Sequence, residues 1–203
     1  MKIICIGKNY QDHAKEMNST PEKDPVFFLK ADSCLQKDSR PFFVPEFSNE
    51  MHHEIEIVLR IGKVGRSIAE KFASRYYDAF TLGIDFTARD LQRNAKEKGL
   101  PWEISKSFDQ SARIGKWLDP EPLKNKANVP FWLKRNHLTV QEGNSLDMIF
   151  SPEQIIAYIS QFMTLKTGDL IFTGTPKGVG PVEPGDTITA GTGEKQILRF
   201  PVK

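Results

Sequence analysis

The sequence predicts an α+β fold that is rich in β-strands. Short aliphatic and β-branched segments recur along the chain, and most of them end at Gly or Pro, as strands do. Four segments with helical apolar spacing or capping residues lie among these strands and predict helices. Because no repeat or low-complexity linker divides the 203 residues, we expect a single domain over residues 1–203.

The composition is that of a globular protein. The formal net charge is +2, and the basic residues are interspersed with acidic ones, so we expect no nucleic-acid partner. No apolar run approaches the roughly 20 residues that a membrane helix needs, and the N-terminal run is too short for a signal peptide. Cys5 and Cys34 form no Cys-x-x-Cys pair, which favours buried thiols in a reducing compartment. We therefore expect a soluble, cytoplasmic protein.

The first predicted elements are a buried strand over residues 2–6 and a helix that Asn9 could cap and that extends to about Met17. On this helix His13 and Glu16 are three positions apart and share a face. A histidine with a carboxylate one turn away can act as a general base. The alternative interpretation is a surface helix on which the two side chains have no joint role.

Residues 52–62 predict a strand, closed by Gly62, on which Glu54 and Glu56 project from the same face, about 7 Å apart. Two neighbouring carboxylates repel each other unless a cation or water lies between them. A bound divalent metal would remove this conflict. The alternative is an acidic, solvated face on an edge strand, where charge discourages pairing with other chains.

The next segments bring a third carboxylate. A capping-box pattern at residues 67–70 and the apolar spacing that follows predict a helix over residues 69–80, and residues 81–84 predict a strand that ends at Asp85. A helix from about Thr87 to Lys98 follows. Asp85 therefore lies at a strand-to-helix corner, a position that favours function over packing.

Glu54, Glu56 and Asp85 are the type and number of ligands that suit a hard cation with open coordination positions. Mg²⁺ or Mn²⁺ fits this set better than zinc, which favours His and Cys. An octahedral ion held by three side chains has room for two substrate oxygens and a water, as a 2-oxo acid would use.

The remaining segments predict short strands, one more helix and two loops. Residues 41–45 predict an edge strand between prolines, and residues 131–141 a hairpin. Lys106 is expected in a strand-to-loop segment. Ser151 and Pro152 predict the start of a helix. The glycine loop of residues 173–180 could present amides and the Thr175 hydroxyl to a carboxylate, or it could be only a tight connection.

Five motifs together give a specific resemblance. They are residues 7–13 (GKNYQDH), 53–56 (HEIE), 85–92 (DFTARDLQ), 106–109 (KSFD) and 174–180 (GTPKGVG). In this order they resemble the fumarylacetoacetate hydrolase family, and within it the single-domain branch of acylpyruvate hydrolases and oxaloacetate decarboxylases. The resemblance covers the chain from about residue 3 to its end.

The resemblance implies a mixed β-sandwich roll with peripheral helices and a homodimer that acts on a small 2-oxo acid. It implies Mg²⁺ or Mn²⁺ on the three carboxylates. His13 and Glu16 would lie on a lid helix and activate water, and Lys106 would bind the substrate carbonyl or enolate. Gln92 and Thr175 would contact substrate oxygens, whereas Arg89 either contacts substrate or supports the metal site.

The implied reaction is hydrolysis of a carbon–carbon bond in acylpyruvates (2,4-dioxo acids) through a metal-bound pyruvate enolate. Oxaloacetate decarboxylation and the isomerisation of 2-hydroxyhepta-2,4-diene-1,7-dioate, or a related tautomerisation, are alternatives on the same site. A non-catalytic module that binds structural Ca²⁺ is an alternative of a different class. Ala31 and residues 112–115 depart from the pattern of many relatives near the expected pocket, so the side-chain specificity stays open.

Overall fold

The computed structural model describes residues 1–16, 22–37 and 39–203. Its strands and helices are, in chain order, β1 (Ile3–Gly7), α1 (Gln11–Glu16), β2 (Val26–Lys30), β3 (Leu35–Gln36), β4 (Met51–His53), β5 (Ile55–Ile61), α2 (Glu70–Ala73), β6 (Tyr77–Asp85), β7 (Thr87–Ala88), α3 (Arg89–Lys98), α4 (Glu103–Lys106), β8 (Ala112–Ile114), α5 (Glu121–Lys124), β9 (Pro130–Arg135), β10 (Leu138–Asn144), α6 (Pro152–Phe162), β11 (Leu170–Phe172), β12 (Gly180–Pro181), β13 (Thr187–Thr192) and β14 (Lys195–Pro201).

The strands of the described ranges form three sheets. The largest has seven strands in the order β2-β1-β11-β5-β6-β8-β3, a second has the order β10-β9-β13-β14, and a third has the order β12-β4-β7. The large sheet is mixed, because β1 pairs with β11 and β3 with β8 in parallel, while its other pairs are antiparallel. The prediction of a β-rich α+β fold with a mixed sheet is therefore confirmed.

The acidic strand is central in this sheet. β5 pairs with β11 on one side and with β6 on the other, and all its residues except Arg60 are buried. The alternative of an edge strand with a solvated acidic face is therefore wrong. Phe86, which follows Asp85, stacks on Phe42 with ring centroids 3.7 Å apart, so the core fixes the end of β6.

Helices with strong end signals lie where the sequence predicts them. α3 ends at Gly99, whose φ of 64° is the left-handed conformation that favours glycine at this position. α6 begins with a complete capping box in which Ser151 and Gln154 exchange hydrogen bonds. None of the helices in the described ranges has the length and apolar character needed to cross a lipid bilayer.

Three predicted segments differ from the structure. The helix expected over residues 69–80 is only the single turn of α2, because the apolar residues that follow belong to β6, which is buried on both faces. The strand expected over residues 41–45 is reduced to one bridge between Phe42 and Val202. Lys106 ends helix α4 and does not lie in a strand-to-loop segment.

Asn9 does not cap α1 with its side chain. Its side-chain Nδ2 donates to the backbone carbonyls of Phe150 and Thr173, and its side-chain Oδ1 accepts from the Phe150 N–H. All three hydrogen bonds are within 3.0 Å. This buried amide ties the start of α1 to two distant segments. The predicted helix end at Met17 lies outside the described residues.

Candidate active site

Three buried carboxylates form a cluster on adjacent strands. In the β5–β6 register Ile55 faces Ile84, and the Asp85 N–H donates to the Glu54 carbonyl at 2.9 Å. This pairing brings Asp85 beside Glu54 and Glu56. One oxygen from each carboxylate lies within 4.8 Å of the other two.

The donor set fits a hard divalent cation. Carboxylate oxygens are the ligands that Mg²⁺ and Mn²⁺ prefer, and this cluster offers three of them without a nitrogen or sulfur ligand. Burial, together with the charges of Asp85 and Glu54, raises the pKa of Glu56 well above its ordinary value. Three buried acids at this spacing repel one another, and a divalent ion would relieve that repulsion.

Lys106 and Arg89 supply positive charge beside the cluster. The Lys106 ammonium donates to Glu54 Oε2 and Asp85 Oδ2, each at 2.8 Å, and the Arg89 guanidinium pairs with Glu54 Oε1. Burial opposes the ionisation of Lys106 and of Glu54. Even so, the charges of Asp85 and Glu54 raise the pKa of Lys106, and the charges of Lys106 and Arg89 hold the pKa of Glu54 well below its usual range. Arg89 also donates to Gln92 Oε1 at 2.6 Å and so connects a candidate metal ligand to a candidate substrate contact.

Lys30 is a site residue to which the sequence alone assigns no role. Its ammonium is fully buried, lies 2.8 Å from Asp85 Oδ1 and donates to Ser111 Oγ at 3.1 Å. It also donates to the backbone carbonyl of Lys106. Lys30 therefore fixes both Asp85 and the end of α4, and a lysine at a strand end gives no sequence signal of such a contact.

His13 and Glu16 lie on one face of α1, as their spacing predicts. His13 Nδ1 lies 3.0 Å from Glu16 Oε2, and the His13 side chain is buried. Glu16 Oε1 accepts the N–H of Gly178 at 3.0 Å, so the same carboxylate contacts both the imidazole and the glycine loop. The Glu16 contact makes Nδ1 the protonated nitrogen and leaves Nε2 free to accept a proton.

The glycine loop presents its amides to protein carboxylates. The Gly174 N–H donates to Glu56 Oε2 at 2.6 Å, in addition to the Gly178 contact with Glu16. Gly174 has a φ of 99°, and a Cβ there would lie 2.6 Å from Asn9 Cβ. Only glycine fits this close approach, which sets the position of the loop against Glu56.

Gln141, on β10, is a second residue that the sequence does not single out. Its Oε1 accepts the Ile55 N–H at 3.0 Å and lies 2.9 Å from His53 Nδ1, while its Nε2 donates to the Pro176 carbonyl at 3.0 Å and to Thr175 Oγ1 at 2.9 Å. The two backbone partners fix which end of the amide is oxygen and which is nitrogen. Thr175 therefore accepts from Gln141, and its own hydroxyl proton is left for another acceptor.

Eight of the nine predicted site residues line one small cavity of about 40 Å³. They are His13, Glu54, Glu56, Asp85, Arg89, Gln92, Lys106 and Thr175, and Glu16 lies behind His13. The cavity thus brings an imidazole, an ammonium, polar groups and a carboxylate cluster within reach of one small ligand. This combination is suited to proton transfer and to stabilising negative charge on oxygen.

Comparison with known proteins identifies the family. The model of the fumarylacetoacetate (FAA) hydrolase C-terminal domain matches residues 2–203. Oxaloacetate tautomerase FAHD1 of Mus musculus is 43% identical over 201 residues, covering 99% of this chain and 91% of that protein. An oxaloacetate decarboxylase of Dictyostelium discoideum is 42% identical, covering 99% of this chain and 93% of that protein.

Solved structures agree with this assignment. Fumarylpyruvate hydrolase from Pseudomonas aeruginosa, in complex with Mn²⁺ and pyruvate, superposes with a TM-score of 0.93 at 34% identity, covering 100% of this chain and 89% of that one. For the 2-hydroxyhepta-2,4-diene-1,7-dioate isomerase of Mycobacterium marinum the TM-score is 0.83 at 33% identity, with 99% and 73% covered. This chain belongs to the fumarylacetoacetate hydrolase family of enzymes.

Proposed function

We propose that this chain hydrolyses the carbon–carbon bond of acylpyruvates, with Mg²⁺ or Mn²⁺ held by Glu54, Glu56 and Asp85. The observation that carries the proposal is the convergence of the His13–Glu16 pair, the Lys106 ammonium and the three carboxylates on one cavity. The Mn²⁺ and pyruvate of the Pseudomonas aeruginosa structure support a divalent ion and a 2-oxo acid at this kind of site. When bound, the ion would withdraw electron density from the oxygens of the 2-oxo acid.

The side chains of this chain can carry the proton and charge transfers. His13 Nε2 takes a proton from water as the water attacks the acyl carbonyl, and Glu16 stabilises the resulting imidazolium. The carbon–carbon bond then breaks, and its electrons pass to the pyruvate half as an enolate. Lys106 offsets that negative charge, and a proton returned to the enolate carbon completes pyruvate.

Gln92 and Thr175 hold the substrate oxygens in this proposal. Both are buried in the cavity wall, and Gln141 leaves the Thr175 hydroxyl free to donate. We assign Arg89 a supporting role, because its guanidinium already contacts Glu54 and Gln92. Arg89 would therefore act on substrate through these two neighbours.

Oxaloacetate is the second candidate substrate, and the names of the relatives favour it. Proteins 42–43% identical to this chain are an oxaloacetate tautomerase and an oxaloacetate decarboxylase. Tautomerisation moves a proton between carbon and oxygen, and decarboxylation loses carbon dioxide, so neither reaction needs an attacking water. Both reactions pass through an enol or enolate that the same cavity would stabilise.

Two parallel assays test the proposed function. Purified protein with Mg²⁺ or Mn²⁺ is offered acetylpyruvate and fumarylpyruvate for hydrolysis, and oxaloacetate for decarboxylation and for keto–enol exchange. We expect turnover of at least one acylpyruvate, abolished by a chelator and restored by added metal. Turnover of oxaloacetate alone would replace hydrolysis with the second candidate, and no turnover with either ion would refute both.

The role of His13 can be separated from ligand binding. His13→Ala should lower the hydrolytic kcat by about a hundredfold or more, which is the scale of general-base catalysis, and should leave the Kd of oxalate, an enolate mimic, nearly unchanged. His137→Ala, in the exposed β9–β10 turn, is the matched control and should keep full activity. Equal losses of kcat and oxalate affinity would show that His13 holds ligand and is not the base.

The homodimer, the single catalytic domain over residues 1–203 and the cytoplasmic location stay proposals. The family resemblance supports the first two. Two buried free thiols, Cys5 and Cys34, support a reducing compartment.

A further inference from the structure

The lining of the cavity includes two lysines that form no ion pair with the carboxylate cluster. Lys96 and Lys8 line the same cavity as the predicted site residues. Helix α3 places Arg89, Gln92 and Lys96 three and four positions apart, and so on one face. Along this face Lys96 lies about 10 Å beyond Arg89, toward the exposed end of the helix.

No acidic side chain in the described ranges forms an ion pair with Lys96. Its ammonium lies 5.3 Å from the centroid of the Trp102 ring, which also lines the cavity. Although Lys96 is exposed on α3, partial desolvation, followed by the charges of Arg89 and Lys8, lowers the pKa of Lys96 from its ordinary value, and the charge of Glu54 opposes this shift. The side chain thus lies beside an aromatic ring at the cavity, and Arg89 and Lys8 are its strongest charged neighbours, a setting that favours an anionic ligand.

The net charge of the cavity wall also favours an anionic ligand. Four cationic side chains, Lys8, Arg89, Lys96 and Lys106, face three carboxylates, which leaves one positive charge, and a divalent ion would raise this surplus to three. Lys30 and Glu16, just outside the wall, cancel each other. The enolate of a 2-oxo acid with one carboxylate carries two negative charges, whereas a second carboxylate adds the third.

We propose that Lys96 binds a second carboxylate at the far end of the substrate, so that the preferred substrates are dicarboxylic 2-oxo acids. This inference rests on the proposed function of the cavity. It is consistent with the names of relatives that concern oxaloacetate, fumarylpyruvate and 2-hydroxyhepta-2,4-diene-1,7-dioate, each of which has two carboxylates. The inference assigns the contact with the distal carboxylate to Lys96. It excludes acetylpyruvate as the best substrate, because acetylpyruvate has only one carboxylate.

A matched pair of stable ligands tests the contact without turnover. 2-Oxoglutarate and 2-oxopentanoate have the same five-carbon chain, and only the first has a distal carboxylate. Calorimetry on Mg²⁺-loaded protein should give a Kd about tenfold lower for 2-oxoglutarate, as expected for one charge-assisted contact near solvent. Lys96→Met should remove most of this preference and leave the Kd of 2-oxopentanoate and of oxalate unchanged.

Two variants control the experiment. Lys98→Met removes the same charge from the exposed side of α3, outside the cavity wall, and should keep the preference. Lys96→Arg should retain part of the preference for 2-oxoglutarate, because the charge is kept. Three results would overturn the inference: equal affinity of the wild-type protein for the two acids, an equal loss of affinity for both acids in Lys96→Met, or the same loss of preference in Lys98→Met. If oxalate still binds, the proposed function remains intact. Failure to bind all three ligands would refute both.

Discussion

Glu56 differs from the other two carboxylates of the cluster in its partners. Glu54 contacts Lys106 and Arg89, and Asp85 contacts Lys30 and Lys106. Glu56 accepts a hydrogen bond from the Gly174 N–H, and no cationic side chain in the described ranges forms an ion pair with it. Burial and its two acidic neighbours raise the pKa of Glu56, so this group holds a proton at a higher pH than an ordinary glutamate.

Metal binding should therefore release a proton from Glu56. A carboxylate must be deprotonated to bind a cation, so the apparent affinity for Mg²⁺ or Mn²⁺ rises with pH until the raised pKa is passed. Calorimetry at about pH 6 in two buffers of different ionisation enthalpy measures the number of protons released. We expect metal binding to release up to one proton from the wild-type protein and none from Glu56→Gln. The Glu56→Gln protein should also bind the metal more weakly.

Glu103→Gln provides the control for this measurement. Glu103 is exposed on α4, and its replacement should leave both the proton release and the metal affinity unchanged. Metal binding to the wild-type protein without proton release between about pH 5 and 7 would show that Glu56 is already ionised.

At the scale of elements, Gln141 connects strand β5 to the glycine loop. One buried amide contacts the backbone at Ile55 and Pro176 and the hydroxyl of Thr175. The contact orients the Thr175 hydroxyl, because the Gln141 NH₂ can only donate to it. Orientation of a candidate substrate contact thus depends on a residue from a different sheet.

Gln141→Glu should reverse this hydrogen bond. An ionised carboxylate at this position can only accept, so the Thr175 hydroxyl turns toward it and away from the cavity. We expect the Kd of oxalate in Mg²⁺-loaded protein to rise about tenfold, as in Thr175→Val. The double variant should be no weaker than either single variant, because both remove the same contact.

Gln161→Glu, on the exposed side of α6, is the matched control for the added charge. Thermal unfolding of each variant checks that the fold is retained. Additive losses in the double variant would show that Gln141 does not act through Thr175.

The helices were predictable where residues close in sequence mark their ends. The glycine after α3 and the capping box of α6 specify helix ends within a few residues, and both helices lie where expected. The segment of residues 69–80 has helical apolar spacing, but its last four residues, 77–80, belong to β6, which pairs with β5. Pairing with a distant strand overrides local spacing in such a segment, and the sequence alone gives no measure of that pairing.

At the scale of the whole molecule, the site is assembled from segments that are far apart in sequence. The sequence supplied the residue types that the chemistry needs, and the β5–β6 register brings Asp85 to the paired glutamates. Lys30 and Gln141 were not predictable, because their roles arise from tertiary contacts with residues 55 to 88 positions away. A lysine or glutamine destined for burial resembles a surface residue until its partners are known.

The dual contact of Glu16 has a consequence for the order of events in a reaction cycle. One oxygen orients His13 and the other holds the N–H of Gly178. Because His13 and Glu16 both lie on α1, a movement of α1 away from the glycine loop would break the Glu16–Gly178 hydrogen bond and carry the paired imidazole and carboxylate away from the carboxylate cluster. On the proposed function, we therefore expect His13 to reach a bound 2-oxo acid only while α1 rests against the glycine loop, so that docking of this helix and positioning of the base occur together.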